Sequence, residues 1–497
     1  MGEREPGGRR AGTPEQGTAD VEAYLAAQAD RYVAELCAFC AIPSVSTQRA
    51  HRQDVARAAR FVADRLARAG LADVEVHPTA GHPVVTGAWR GDDRAPTVLV
   101  YGHYDVQPPE PLDLWRSPPF EASLRDDRLY ARGASDDKGP LLIPIVVAEA
   151  FLALRGRLPV NLKFVVEGEE ECGSEHLEEA LAALGDRVAA DLVLSADGAM
   201  WRPDLPSVTV AGRGLLALEL TVEGAAKDLH SGRHGGSAPN PLTAIARLVA
   251  SLHDAAGRVA VEGFYDGARP PDPALLRTVA NVGFHSARYF ADLGAPCPAR
   301  LPSGAELLTR QWLEPTLELN GLVGGYGGEG TKTVIPARAA AKITCRLVAG
   351  QQPDRVFAAI DAHLQRHCPD GFRLRVTRQG RGCAAFALPP ELPALGVIEH
   401  VLTGIYGRPP LRVAMGATLP VADIFRRRLG AETLFFSFAT ADEDYHAPNE
   451  FFRLSSFRNG LVAWARALAA LADDGPRAPD DRSPEGTGSP GRAMPAD

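Results

Sequence analysis

Apolar positions along this chain fall into two textures. In the first, short unbroken runs end abruptly in chemically capable residues. Val98-Leu99-Val100-Tyr101 empties into Gly102-His103-Tyr104-Asp105, Leu162-Lys163-Phe164-Val165-Val166 into Glu167-Gly168-Glu169-Glu170-Glu171, and Leu192-Val193-Leu194-Ser195-Ala196 into Asp197. These runs read as buried strands. Three of them deliver an imidazole or carboxylates at their carboxyl ends, where open α/β sheets place their sites. Helical patterns lie between. Apolar residues at helical spacing over 21–71, around a Pro43-Ser44-Val45-Ser46 break, predict two helices joined by a loop. Short β-like stretches follow over 74–89, and 141–154 predicts a largely buried helix with Pro144 in its first turn. Strands alternating with helices imply a mostly parallel central sheet flanked by helices.

The second texture begins near Gly212. Residues 215–222 alternate as a half-exposed strand, 241–252 form an amphipathic helix, and 265–312 is helical and loop-rich. Strands over 316–319 and 339–347, a helix over 354–366 and a strand over 372–376 complete the order β-α-β-β-α-β, the ferredoxin-like arrangement. The expected organisation is a catalytic domain in two parts, 21–211 and 385–473, interrupted by an α+β unit at 212–384. Segments 1–20 and 474–497, rich in Gly, Pro, Arg and acidic residues, are predicted to be disordered.

Bulk properties narrow the function. At 497 residues the chain exceeds the size at which one core keeps growing, in keeping with two domains. A formal charge of -9 argues against non-specific nucleic-acid binding, and no apolar run approaches the length of about 18 residues needed for a membrane span. Residues 1–20 lack the apolar core of a secretory signal, and seven widely spread cysteines do not resemble a disulfide framework. A cytoplasmic protein is expected. Cys37-Ala38-Phe39-Cys40 has no second ligand pair nearby and reads as helix packing.

The candidate chemistry comes from a set rather than a single motif. His103, Asp136, Glu171, Asp197 and the distant His446 supply nitrogen and oxygen ligands without thiolate, which suits zinc, with cobalt or manganese as substitutes. Five such groups hold two ions if one carboxylate bridges them. Asp136 is the best bridge, because it lies in a turn just before a helix with Gly133 and Gly139 to let the backbone approach closely. Each ion then has three protein ligands and an open position, the mark of a catalytic site. Glu170 is placed to accept a proton from water and pass it to a leaving group, as amide hydrolysis requires. Adjacent strand side chains point opposite ways, so the strand must have ended by Glu170, which Gly168 and Gly173 favour. Asp105 is placed to hydrogen-bond the second nitrogen of His103.

Taken together, the motifs YGHYDVQP (101–108), YARGASDDKG (130–139), EGEEECGSE (167–175), KDLHSG (227–232), WLEPTLELNGLVGGYGGEGTKTVIP (312–336) and HAPNE (446–450) resemble the M20 metallopeptidases. The likeness is to their dipeptidase branch, which includes bacterial and carnosine-hydrolysing enzymes. The resemblance implies a zinc-exopeptidase-type fold with the inserted unit as a lid and dimerisation domain. It implies two zinc ions per subunit, one held by His103, Asp136 and Asp197 and the other by Asp136, Glu171 and His446, a cis peptide after Asp136, and Glu170 as the catalytic base. It further implies a homodimer in which His230 reaches the partner's site to stabilise the oxyanion, and a substrate carboxylate held by Arg346 and Thr333. Thr418 falls where relatives carry Gly-Gly-Ser-Ile-Pro, with Ala417 in place of a glycine, and 382–386 lacks the His-Gly-Gly type sequence of the branch. The expected substrate is a dipeptide or similar small peptide. The alternatives are an N-acyl amino acid deacylase or a pathway-specific amidase, and a non-catalytic metal-binding homologue, against which the intact ligand set and Glu170 argue.

Overall fold

The computed structural model describes residues 14–474. A nine-stranded sheet forms its centre, in the order Ala72–His77, Val84–Trp89, Asn161–Glu167, Thr97–His103, Leu192–Ser195, Thr433–Phe435, Ser207–Gly212 and Phe386–Ala387, with Leu411–Met415 also paired to Ser207–Gly212. The four middle strands run parallel, and antiparallel pairs finish both sides. Every residue of Asn161–Glu167 and Leu192–Ser195 is buried, which is why these strands read as continuous apolar runs rather than alternating ones. The almost wholly buried helix Gly139–Arg155 packs on the central strand and on the helices Pro14–Ala27 and Leu454–Asp474. No described helix is long and apolar enough to cross a membrane.

The inserted unit is a four-stranded antiparallel sheet, ordered Thr316–Gly324, Arg338–Leu347, Gly214–Glu223 and Arg373–Cys383. That is the strand order of a ferredoxin-like fold. Strand Gly214–Glu223 alternates strictly, sending Leu216, Leu218, Leu220 and Val222 into a small core with Ile245, Leu248, Ile360 and Leu364 from its two helices. The chain leaves the large sheet at Gly212, crosses on Arg213 and returns after Cys383 to the short strand Phe386–Ala387.

Four features differ from the sequence reading. The first helix begins at Pro14, so residues 14–20 are ordered: Val21 and Leu25 are buried in the large core, and Arg155 ties the helix down through the Gly17 carbonyl at 2.7 Å. The remainder of that segment, 1–13, and the tail 475–497 lie outside the described residues. Three helices, Pro14–Ala27, Ala29–Cys40 and Arg52–Arg68, occupy the region expected to hold two. Pro144 lies beyond the first turn, because the helix already starts at Gly139 with Pro140 in its opening position. Finally, the helices Pro273–Asn281 and Gly304–Trp312, expected within the inserted unit, pack Leu275, Val279, Leu308 and Trp312 into the large core, where the Trp312 ring meets Trp201 edge-on at 5.3 Å. Amphipathic spacing shows that a helix has a buried face, but it does not say which of two cores receives it.

Candidate metal centre

Sheet register assembles the first half of the site. The strands Asn161–Glu167, Thr97–His103 and Leu192–Ser195 are neighbours, with His103 opposite Glu167 and Tyr101 opposite Ser195. Asp197 follows its strand by two residues and so comes level with His103. Glu170 and Glu171 stand on the short helical turn Glu170–Cys172, so the strand has ended before Glu170 and the two neighbouring carboxyls are not forced to opposite faces.

The second half comes from two loops. Asp136 lies in the turn Ala134–Lys138 with non-helical φ/ψ of -129° and 94°, and the Asp136–Asp137 peptide is cis. One carboxylate oxygen, Oδ1, lies 3.0 Å from His103 Nε2; the other, Oδ2, lies 2.9 Å from His446 Nε2. His446 Nε2 is also 3.1 Å from Glu171 Oε2. Two triads result, His103–Asp136–Asp197 and Asp136–Glu171–His446, each with ligand atoms within 4.8 Å of one another. Imidazole nitrogens and carboxylate oxygens without thiolate fit zinc, cobalt or manganese.

The electrostatics express the same demand for positive charge. Burial alone would raise the Asp136 carboxyl, but hydrogen bonds with His103 and His446 outweigh it and hold the group well below its ordinary value. His446 is pushed up to about 10 by its bonds with Asp136 and Glu171. Asp197 is pushed up to about 6 by burial, reinforced by the charges of Asp136 and Glu171. Burial likewise carries Glu170 well above the usual carboxylate range, with Asp197, Asp136 and Glu171 adding to the rise and His103 opposing it. Four carboxylates crowd a space holding two imidazoles, so a cation there relieves like-charge repulsion.

Supporting contacts orient the candidate ligands. His103 Nδ1 donates to the Asp105 backbone carbonyl at 3.1 Å, with the Asp105 carboxylate at 3.4 Å, which leaves Nε2 as the lone-pair nitrogen facing the site. The expected role of the Asp105 side chain is therefore shared with its own backbone, while its Oδ2 accepts the Glu171 N–H at 3.1 Å. Several residues escaped the sequence reading. Gln107 donates to Glu171 Oε2 at 2.8 Å, Asp137 accepts the His103 N–H at 3.1 Å, and Glu450 gathers the backbone of the Asp136 turn. All three lie inside the motifs quoted above, as polar residues without an assigned task, and that was the available signal.

The remaining predicted residues form two separate groups. Arg346 donates to Thr418 Oγ1 at 2.6 Å, and Arg213 stands near enough that burial and the Arg346 charge bring its guanidinium down to about 10. His230 and Thr333 sit together at the two-stranded pairing of Leu229–His230 with Val334–Ile335, where the Ser231 N–H meets the Thr333 carbonyl at 3.0 Å. Both are exposed, and neither has a hydrogen bond to the ligand cluster among the described contacts.

Comparison with known proteins matches this arrangement to one family. The model for peptidase family M20/M25/M40 covers residues 99–470. Human Beta-Ala-His dipeptidase is 29% identical over 469 residues, covering 90% of this chain and 92% of its own length. The Cys-Gly metallodipeptidase of Candida albicans is also 29% identical, over 451 residues, covering 86% of this chain and 92% of its own. Among solved structures, human carnosine dipeptidase 1 superposes with a TM-score of 0.73 at 28% identity, covering 91% of this chain and 98% of that one. The M20 family metallo-carboxypeptidase of Sulfolobus solfataricus gives 0.78 at 28% identity, covering 89% and 99%. A strand-end imidazole and carboxylates, joined by a bridging aspartate to a histidine from the far end of the chain, thus sit on a fold shared almost end to end with metallopeptidases, and the chain belongs to peptidase family M20/M25/M40.

Proposed function

We propose that this protein hydrolyses the amide bond of dipeptides or similar small peptides at a dinuclear zinc site, with cobalt or manganese able to substitute. The observation that carries the reading is the division of Asp136, one oxygen toward His103 and the other toward His446. His103, Asp136 and Asp197 would hold one ion and Asp136, Glu171 and His446 the other. Bound divalent ions supply Lewis-acid polarisation and make water easier to deprotonate. Glu170 then takes the proton from the attacking water and returns it to the leaving amine nitrogen; its raised pKa suits a group that must be base first and acid second. Asp105 holds the orientation of His103.

Arg346 and Thr418 are the groups for the substrate's terminal carboxylate, with Thr333, which stands beside His230, joining them from a second copy of the chain, and a guanidinium fork matches that anion. In His230, Nδ1 accepts the Gly232 N–H at 3.0 Å, which leaves the proton on Nε2, a donor suited to an oxyanion. Its exposure supports action toward a second copy of the chain. A homodimer through the 212–384 unit is supported by the edge strand Thr316–Gly324, whose outer side pairs with no strand among the described residues and where Leu322 and Val323 are 49% and 68% exposed. Seven free cysteines support a cytoplasmic setting.

The test is hydrolysis by metal-free protein reloaded with zinc, cobalt or manganese. The panel is led by β-Ala-His and Cys-Gly, the dipeptides in the names of the relatives, with N-acyl amino acids beside them. Metal-dependent release of free amino acids from dipeptides is expected. Turnover confined to N-acyl amino acids, or turnover indifferent to metal, would overturn the reading.

A further inference from the structure

The two triads are built differently. His103 and Asp197 are set by neighbouring strands, whereas Asp136 and His446 sit on loops 310 residues apart in sequence. What fixes the distance between those loops is visible in the structure. Strand Arg128–Tyr130 pairs antiparallel with Phe451–Arg453, so the loop carrying Asp136 leaves this small sheet beside the point where the loop carrying His446 enters it. Glu450 stands at that mouth and is fully buried. Its Oε2 accepts from Arg132 Nη1 at 2.8 Å and Gly133 N at 2.9 Å; its Oε1 accepts from Ser135 N at 2.9 Å and Asp136 N at 3.1 Å. Three backbone N–H groups converge on one carboxylate, the concavity that turns of this kind present to anions. At the other end of the His446 loop, Glu443, also buried, accepts from Ser135 Oγ at 2.6 Å. The loop is therefore stapled at both ends to the turn that holds Asp136.

We infer that Glu450, seconded by Glu443, is a positioning residue that sets Asp136 against His446 and so governs the ion of the Asp136–Glu171–His446 triad more than its neighbour. Two of that triad's three ligands depend on the staple, while only Asp136 does in the other. This inference rests on the dinuclear reading. A purely structural buried ion pair would lower stability without separating the two ions; a positioning residue separates them. In Glu450→Gln either orientation of the amide sets an NH2 against two N–H donors, so the turn cannot keep its place.

The experiment is a cobalt titration of metal-free protein, followed by calorimetry and by the visible cobalt spectrum, for wild type, E450Q and E149Q. The last weakens the part-buried ion pair of Glu149 with Arg65 away from the site. Wild type is expected to take two equivalents. E450Q is expected to keep the first at wild-type affinity and to bind the second at least about tenfold more weakly, within the range for lost supporting contacts. E149Q is expected to lose thermal stability with both affinities intact. Equal weakening of both ions in E450Q, or no change, overturns the inference. Fewer than two equivalents in wild type overturns the dinuclear reading itself. Should E450Q fail to fold, Ser135→Ala removes the Glu443 staple without disturbing the backbone, and a selectively weakened second ion is again the required result.

Discussion

Arg346 and Thr418 join the two sheets: the guanidinium of one, on the small sheet, donates to the hydroxyl of the other, on the loop before the helix Pro420–Leu429, at 2.6 Å. An arginine held this way is oriented before substrate arrives. Arg346→Met is expected to raise KM for dipeptides by about ten- to a hundredfold, the worth of a charge-assisted hydrogen bond of roughly 1.5–3 kcal/mol, with a smaller change in kcat. Dipeptide amides, which lack the carboxylate, should be turned over equally by both forms, and steady-state kinetics on the matched pair checks this.

Glu170→Gln keeps the shape of the site and removes the proposed proton acceptor. A fall in kcat of about 10²–10⁴-fold is expected, with metal content unchanged by elemental analysis. Normal turnover in this variant would remove Glu170 from the chemistry.

Chelation should abolish activity and lower the thermal midpoint together. Free ion at about a thousand times its Kd contributes about 4 kcal/mol to the native state, and its removal leaves the carboxylates around Asp136 and Asp197 facing one another. Differential scanning calorimetry with chelator and after reloading reads the shift.

Glu167 supplies a pH dependence. Burial, reinforced by the Asp105 charge, pushes its carboxyl up to about 8, against hydrogen bonds from Tyr101 and Ser174 that favour ionisation. Its Oε2 is buried with no hydrogen-bond partner among the described residues, where a negative charge costs more than a neutral carboxyl. The folded state thus holds this proton more tightly than the unfolded chain. The associated stability is fully present below the unfolded pKa near 4.5 and is lost as pH rises through about 8. In metal-free protein, Glu167→Gln should flatten the decline of the melting midpoint across that window; a decline identical to wild type would show that Glu167 is not its source.

Much of the candidate cluster was legible because strand ends announce themselves. A run such as Val98-Leu99-Val100-Tyr101 has one buried interpretation, and the polar residue that ends it must face something. The glycines around Asp136 were equally readable. What local pattern could not supply was the partner of each loop. Nothing near Glu450 in sequence indicates that its carboxylate closes on Gly133, Ser135 and Asp136, since the contact depends on two distant strands pairing at Tyr130 and Phe451. The allegiance of Leu275 and Trp312 to the large core was hidden for the same reason, and the helix before Val21 was obscured by a composition that resembles a free terminus.

The division of the candidate ligands between strand ends and a later loop also orders events during synthesis. A growing chain already carries His103, Asp136, Glu171 and Asp197 long before His446 and the glutamates that anchor its loop are added. Translation therefore withholds the last pieces of the candidate centre until the inserted unit has been made, and fragments released before His446 are born without them.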